Sequence, residues 1–116
     1  MITLNQLLEK KCQHLENGLS EEEIRQYLAV IDGWTLNEGK IVKTFSFKNY
    51  YETLAFINAI AYVIHAEDHH PELVTTYNRC VVKFDTHSVN GGKGGLSEND
   101  FICAAKVDAI FMQSFS

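Results

Sequence analysis

Apolar residues recur three and four positions apart in four stretches of the chain, which is the spacing of an amphipathic helix. Before the second stretch, Ser20 and Glu23 are spaced for a capping box, in which each side chain bonds the other residue's backbone N–H. The third stretch is apolar over a wide arc, so we expect it to lie on a sheet and to meet a second helix or another subunit. The helices are predicted over residues 4–15, 21–31, 49–65 and from Ser97 towards the C terminus.

Between the helices, apolar and polar residues alternate in four short stretches, which predicts half-buried strands. Asn37-Glu38-Gly39 supplies turn residues between the first two strands, and Tyr77-Asn78-Arg79 can turn the chain between the last two. The order of elements is therefore α, α, β, β, α, β, β, α. Hairpins give antiparallel pairing, so the predicted class is α+β, with a four-stranded antiparallel sheet and helices packed on one face. The strands are predicted over residues 34–36, 41–47, 73–77 and 80–84.

The charge and composition of the chain argue against binding to nucleic acids or membranes. The chain has 116 residues and a formal net charge of −5, and its basic residues form no cluster. Nucleic acids and anionic membranes attract a basic surface, so direct binding to either is not expected. No apolar run reaches the roughly 18–20 residues of a membrane span, and the polar N terminus does not resemble a secretory signal, which predicts a cytoplasmic protein. The cysteines, which lack a C-x-x-C pair, are expected to be reduced: Cys12, Cys80 and Cys103.

Four of the five histidines lie between positions 65 and 87. Histidine titrates near neutral pH without any perturbation, so such a group suggests acid–base chemistry. His69 and His70 follow the third helix and precede Pro71, which disfavours helical backbone at His70. The pair is therefore expected in a rigid helix-to-strand connection, a common location for functional groups. A solvated or helix-capping histidine pair would fit the same position.

His87 follows the last predicted strand. Alternation directs the three apolar residues of that strand towards the core, so His87 is expected on the opposite face. The hairpin can return this end of the strand to the helix-to-strand connection, which would place three imidazoles in one cleft. Asp100 is positioned to cap the fourth helix and could also orient a nearby imidazole. We therefore predict one acid–base site that contains His69, His70 and His87.

A metal site is the alternative use of these histidines. His65 and His69 are four residues apart, a spacing that can place two ligands on one helix face, with His87 as a third. The sequence has no H-E-x-x-H motif, and its nearby carboxylates lack a metal-family spacing, so no metal is expected. The glycine-rich residues 91–95 lack the G-K-[ST] ending of a phosphate loop and are interpreted as a flexible connection.

The spacing of these residues resembles that of the pterin-4a-carbinolamine dehydratase family over roughly residues 19–110. Trp34 and Phe45-Ser46-Phe47 also fit the family pattern, as does Gly95-Leu96-Ser97. With this resemblance, residues 1–18 are predicted to be an N-terminal helical extension and residues 19–116 a dehydratase-like domain. The signature reads His65-x3-His69-His70-Pro71-x5-Tyr77-x9-His87-x12-Asp100.

The resemblance implies a hydro-lyase that converts 4a-hydroxytetrahydropterin, a 4a-carbinolamine, to quinonoid dihydropterin and water by histidine acid–base catalysis, with no cofactor. It also implies a place in tetrahydrobiopterin recycling beside an aromatic amino acid hydroxylase. The family assembles as homodimers or homotetramers. Some members serve as dimerisation partners of a transcription factor, so the alternative is a non-enzymatic binding protein of the same fold.

The resemblance also assigns roles by position. His69 and His87 fall where the family has acid–base histidines, and His70 falls where it holds the pterin. All three are predicted to be catalytic, with Asp100 as a supporting residue. The segments that contact substrate in the family correspond to Asp68, His69, His70, Asp85, Thr86, His87 and Ser88.

The chain departs from the family pattern around the predicted cleft. His65 stands where an acidic residue is common, and Leu73 stands where tryptophan is common. The loop of residues 91–95 is longer than usual, and the N-terminal helix is additional. These differences concern the rim of the cleft and the assembly more than the reaction.

Overall fold

One antiparallel sheet of four strands underlies the fold in the computed structural model, which describes residues 1–115. The strand order is β1-β2-β4-β3, so each predicted hairpin is present and β2 pairs with β4 at the centre. The predicted α+β class and antiparallel sheet are confirmed. The strands are β1 (Thr35–Asn37), β2 (Lys40–Ser46), β3 (Glu72–Thr75) and β4 (Arg79–Phe84).

The first hairpin turns through two residues, Glu38 and Gly39, because Asn37 pairs directly with Lys40. Both turn residues have positive φ, 52° at Glu38 and 79° at Gly39. This backbone conformation matches the twist of the flanking strands, and glycine adopts it without steric cost. The turn therefore forms within the residues that the sequence predicts for it.

The helices pack on one face of the sheet. α3 contacts both β4 and α4, and α4 contacts α1 on its other side. None of the helices in residues 1–115 combines the length and the apolar character needed to cross a membrane. The helices are α1 (Leu4–Glu9), α2 (Glu21–Leu28), α3 (Tyr50–Glu67) and α4 (Glu98–Ser114), with a 3-10 turn over Asn90–Gly92.

α4 is the central element of the core, since each residue from 99 to 105 is buried. A helix that is buried all round must be covered on several sides. The inward side chains of β4 face the core as predicted, because Cys80, Val82 and Phe84 are fully buried. The first turn of α4, which carries Asp100, is therefore held in the interior.

The predicted helix over residues 4–15 is wrong beyond Glu9, where α1 ends. Residues 10–16, which we call the strap, are not helical and cross from α1 towards α2. The predicted N-terminal extension is thus helical only in part, and Leu7 of α1 is fully buried in the common core. The other helix ends shift by less, with α2 ending at Leu28 and α3 at Glu67.

Side chains of α3 and α4 attach the strap through its main chain. Such contacts satisfy backbone groups that a helix would otherwise satisfy internally, which explains why the apolar periodicity there does not produce a helix. The bonds are Cys12 N to Glu67 Oε1 (2.8 Å), Gln13 N to Asn99 Oδ1 (3.2 Å), Asn99 Nδ2 to Gln13 O (2.7 Å) and Lys106 Nζ to Lys10 O (2.7 Å).

Candidate active site

The end of α3 positions the histidine pair. Asp68 ends the helix in the left-handed conformation, with φ of 50° and ψ of 44°, and its N–H donates to the carbonyl of His65. His69 and His70 follow in non-helical backbone, and β3 begins directly after Pro71. The predicted helix-to-strand connection is therefore present.

His69 is bonded to a buried carboxylate. Its Nε2 lies 2.6 Å from Oδ1 of Asp100, which is completely buried. The other carboxylate oxygen accepts hydrogen bonds from the Ser97 backbone N–H and the Thr86 hydroxyl, both at 2.9 Å. Asp100 thus caps α4 and binds an imidazole at the same time. Hydrogen bonds to an ionised acceptor are about twice as strong as neutral ones, so this contact holds the ring firmly.

The plane of the His69 ring is fixed by stacking. It lies 5.9 Å from the ring of Phe84, centroid to centroid, with only 8° between the planes. The side chain is 12% exposed, so one part of the ring still reaches solvent-accessible space. An imidazole with a fixed orientation and one open edge is suited to proton transfer.

His70 and His87 lie across from each other on the open side of His69. Their ring centroids are 6.2 Å apart. The His87 side chain is 75% exposed, and its Nε2 lies 3.4 Å from Oδ1 of Asp85. His87 is therefore outside the core, as strand alternation predicts, and it is held far more loosely than His69.

These residues line one cleft of about 250 Å³. Its lining contains all seven residues that are predicted to contact substrate, and the predicted supporting residue Asp100 lies directly behind His69. The structure thus brings the predicted residues together, while their roles in catalysis and binding remain predictions. The lining is Asp68, His69, His70, Asp85, Thr86, His87 and Ser88.

A second cavity of about 410 Å³ adjoins the cleft. Strap residues 12–15 form one wall, and Glu67 and Asn99 contribute to the others. Sequence reasoning missed these residues. The helical spacing could have revealed Glu67, because it lies on the same face of the helix as the buried Ile60 and Val63. Its carboxylate is therefore expected to point inwards.

Glu67 ties the strap to the helices. Its side chain is only 5% exposed, and it accepts hydrogen bonds from the Cys12 backbone N–H and, at 2.7 Å, from Lys106 Nζ. Burial opposes ionisation of this carboxyl, but the two hydrogen bonds and the positive charges of Lys106 and Lys11 together outweigh burial and hold its pKa below the usual 4.5.

The Glu67→Gln variant is expected to be less stable than the wild type by about 1–3 kcal/mol at pH 7, since a charged acceptor is lost. Because folding lowers the pKa of Glu67, its ionisation stabilises the fold above about pH 4.5, and the contribution disappears as pH falls through the folded-state pKa. Urea unfolding at pH 7, 5 and 3 measures the difference in free energy of unfolding between the wild type and Glu67→Gln. The exposed Glu9→Gln change is the control. A difference that is as large at pH 3 as at pH 7 would contradict this account.

The three cysteines are free thiols. Cys12 of the strap has its Sγ 3.6 Å from Sγ of Cys103. The hydrogen bond with Cys12, together with burial, raises the pKa of the Cys103 thiol. A raised pKa keeps a thiol protonated and weakly nucleophilic, so these contacts do not support a catalytic cysteine.

The predicted alternative of a metal site finds no support in the geometry. His65 is exposed on α3, and residues 1–115 contain no group of three or more histidine, cysteine or carboxylate side chains arranged to hold a metal ion.

Several known proteins are similar to this chain in sequence. The family model for pterin 4 alpha carbinolamine dehydratase matches residues 17–110. A protein of Bdellovibrio bacteriovorus, provisionally named a pterin-4-alpha-carbinolamine dehydratase, is 60% identical over all of this chain and 97% of its own. One of the same name from Nitrosospira multiformis is 50% identical over 94% and 96% of the two chains.

A solved structure shows the same architecture. It is the crystal structure of a transcriptional coactivator/pterin dehydratase from Brucella melitensis, with a TM-score of 0.74 and 34% sequence identity. The match covers 81% of this chain and 98% of that one. Together, the extent of the family match and the identity of the full-length relatives show that this chain belongs to the pterin 4 alpha carbinolamine dehydratase family.

Proposed function

We propose that the protein is a hydro-lyase that dehydrates 4a-hydroxytetrahydropterin to quinonoid dihydropterin and water. Family membership supports the reaction class. The observation that carries the mechanism is the imidazole of His69, bonded to buried Asp100 at 2.6 Å in a cleft with two further histidines.

The reaction needs one acid and one base. The acid protonates the hydroxyl on carbon 4a, the lone pair of N5 forms a double bond to carbon 4a, and the C–O bond breaks to release water. The base then takes the proton from N5. No electrons are transferred to or from the enzyme, so the step requires no redox cofactor. Positioned side chains typically accelerate such proton transfers by about 10²–10⁴-fold.

Asp100 determines which nitrogen of His69 is available. An ionised carboxylate only accepts hydrogen bonds, so Nε2 carries a proton and its N–H donates a hydrogen bond to Oδ1 of Asp100. Nδ1 is then the nitrogen left to exchange a proton with substrate. The stacking on Phe84 keeps this nitrogen in place while the charge of the ring changes. We assign His69 as one proton carrier.

The other side of the cleft supplies the second proton carrier and the binding contacts. His87 is exposed and adjustable, which suits a group that must meet the departing hydroxyl or N5 from the open side. His70 lies beside it and is assigned to holding the ring, and the polar ends of Asp68 and Ser88 border the same space. Asp85 lies between His87 and Lys40, which limits its freedom.

Further parts of the proposal concern the setting of the reaction. We place the protein in the cytoplasm, in the recycling of tetrahydrobiopterin used by an aromatic amino acid hydroxylase, and as a homodimer or homotetramer. The outer face of α3 supports self-association, because Tyr51 and Tyr62 are 78% and 75% exposed there.

The His87→Ala variant tests the assignment. We expect kcat/KM for 4a-carbinolamine dehydration to fall by about 10–100-fold, near the lower end of general acid–base effects, because this imidazole is loosely held. Folding should be unaffected, since the side chain is 75% exposed. The measurement is the rate of carbinolamine disappearance relative to the uncatalysed rate.

His65→Ala is the matched control, because His65 is also exposed and lines neither cavity. Its activity should match the wild type. An unchanged rate in folded His87→Ala protein would remove His87 from the mechanism. A wild-type rate no higher than the uncatalysed rate would instead favour a non-enzymatic binding protein, the role suggested by the coactivator name of the Brucella melitensis protein.

A further inference from the structure

The strap cavity and the histidine cleft adjoin each other at His69. Four residues line both, namely Asp68, His69, Thr86 and Ser88. His69 thus borders both the cleft and the cavity walled by the strap. A ligand whose reacting atom meets His69 has access to both spaces.

The chemistry of a pterin directs one of its parts into the strap cavity. The atoms that react are carbon 4a and N5, and carbon 6 is bonded directly to N5. Any substituent on carbon 6 therefore starts one bond from the atom whose proton is exchanged. With His69 taken as the base that removes the proton from N5, the free space next to it that can take this substituent is the strap cavity.

Unpaired polar groups show which kind of substituent fits. The side chains of Gln13, Asp68 and Ser88 line the cavity, and within residues 1–115 none of them makes a hydrogen bond or ion pair. Hydroxyl groups can both donate to and accept from such side chains. All three side chains are exposed and therefore hydrated in the free protein, and an apolar substituent that displaces this water without replacing its hydrogen bonds loses affinity.

The backbone of Gln13 is held in place before any ligand arrives. Its N–H and C=O are both bonded to the side-chain amide of Asn99, and the preceding residue is bonded to Glu67. A wall that is already ordered loses little conformational entropy on binding, which favours discrimination between ligands.

We infer that the strap is a specificity element, in which Gln13 recognises a short hydroxylated substituent on carbon 6 of the pterin. The inference rests on the proposed function for the placement of the ring. It assigns the strap to selection of the substrate and leaves the proton transfers to the histidines.

The test compares the affinities of two 7,8-dihydropterins that lack the 4a-hydroxyl and cannot be dehydrated. One carries a dihydroxypropyl group on carbon 6, and the other carries a methyl group. Titration calorimetry on the full chain should give about a tenfold lower Kd for the hydroxylated compound, the effect of one or two hydrogen bonds. In Gln13→Ala this ratio should fall to about three or less.

A second variant and a control make the test specific. Gln13→Trp fills the cavity, so it should weaken the hydroxylated compound by about tenfold or more while the methyl compound keeps its affinity. Gln113→Ala removes an exposed glutamine at the far end of α4 and should keep the wild-type ratio. Equal affinities in the wild type, or a ratio that both Gln13 variants leave unchanged, would overturn the inference.

Turnover is measured separately, so the two proposals can fail independently. The expected ratio in a protein that does not accelerate dehydration would uphold the specificity role and overturn the proposed function. Dehydration at the expected rate with equal affinities for the two compounds would uphold the proposed function and overturn the specificity role.

Discussion

Replacing His69 with alanine should lower kcat/KM for carbinolamine dehydration by about 10²–10⁴-fold, the full range for a positioned proton carrier. We expect a larger effect than for His87 because the His69 ring is fixed on two sides, by Asp100 at 2.6 Å and by stacking on Phe84. Initial rates above the uncatalysed reaction measure the loss. Free imidazole should restore part of the rate, because the variant leaves a ring-sized space next to Asp100.

The same variant also leaves Asp100 without one of its partners. Loss of a partner from a buried charged acceptor costs about 1–3 kcal/mol, so rates should be measured well below the unfolding temperature. Retained activity in a protein shown to be folded would remove His69 from the mechanism. Failure of imidazole to restore any rate, with the fold intact, would argue that the ring acts only structurally.

Asp100→Asn is expected to lower kcat by about 10²-fold or more, because it disrupts the tautomer of the imidazole that it orients. An amide has one oxygen and one NH₂ group. If the NH₂ group faces His69, Nε2 must accept a hydrogen bond, so the ring proton moves to Nδ1. If the NH₂ group faces away from His69, it meets two donors, the Ser97 N–H and the Thr86 hydroxyl. In the first orientation the imidazole has the wrong tautomer, and in the second the two donors lose their acceptor.

Asp108→Asn is the matched control, because Asp108 is on the same helix and its carboxylate also accepts side-chain hydrogen bonds, from Lys43 Nζ and Trp34 Nε1, both at 2.9 Å. Both variants should show a lower free energy of unfolding in urea, by about 1–3 kcal/mol. Only Asp100→Asn should also lose activity, with kcat affected more than KM. Equal losses of activity in the two variants would reduce the role of Asp100 to stability.

Local patterns predict the parts of this fold that local chemistry decides. Alternation along β4 puts Val82 and Phe84 inside and leaves His87 outside, because neighbouring side chains on a strand must point to opposite faces. The two-residue turn at Glu38 and Gly39 needs only residues that tolerate positive φ. The histidine cluster follows from these elements and from Pro71, which directly precedes β3.

The strap could not be predicted in this way, because its partners are distant in sequence. Glu67 is 55 positions from Cys12, and Asn99 is 86 positions from Gln13. The apolar residues of the strap fit a helix, and only tertiary contacts override that preference. Asp100 is an intermediate case. Its capping role is visible from its spacing to Ser97, whereas its bond to His69 depends on how α3 and α4 pack.

The attachment of the strap has a consequence for how this chain can evolve. Four of its bonds to α3 and α4 use main-chain atoms of the strap, at Lys10, Cys12 or Gln13. Almost any amino acid can supply those atoms, so mutations in the strap can alter the cavity wall without detaching it. The histidine cleft, by contrast, depends on particular side chains. We therefore expect divergence within the family to change the cavity wall at the strap more readily than the histidine cleft.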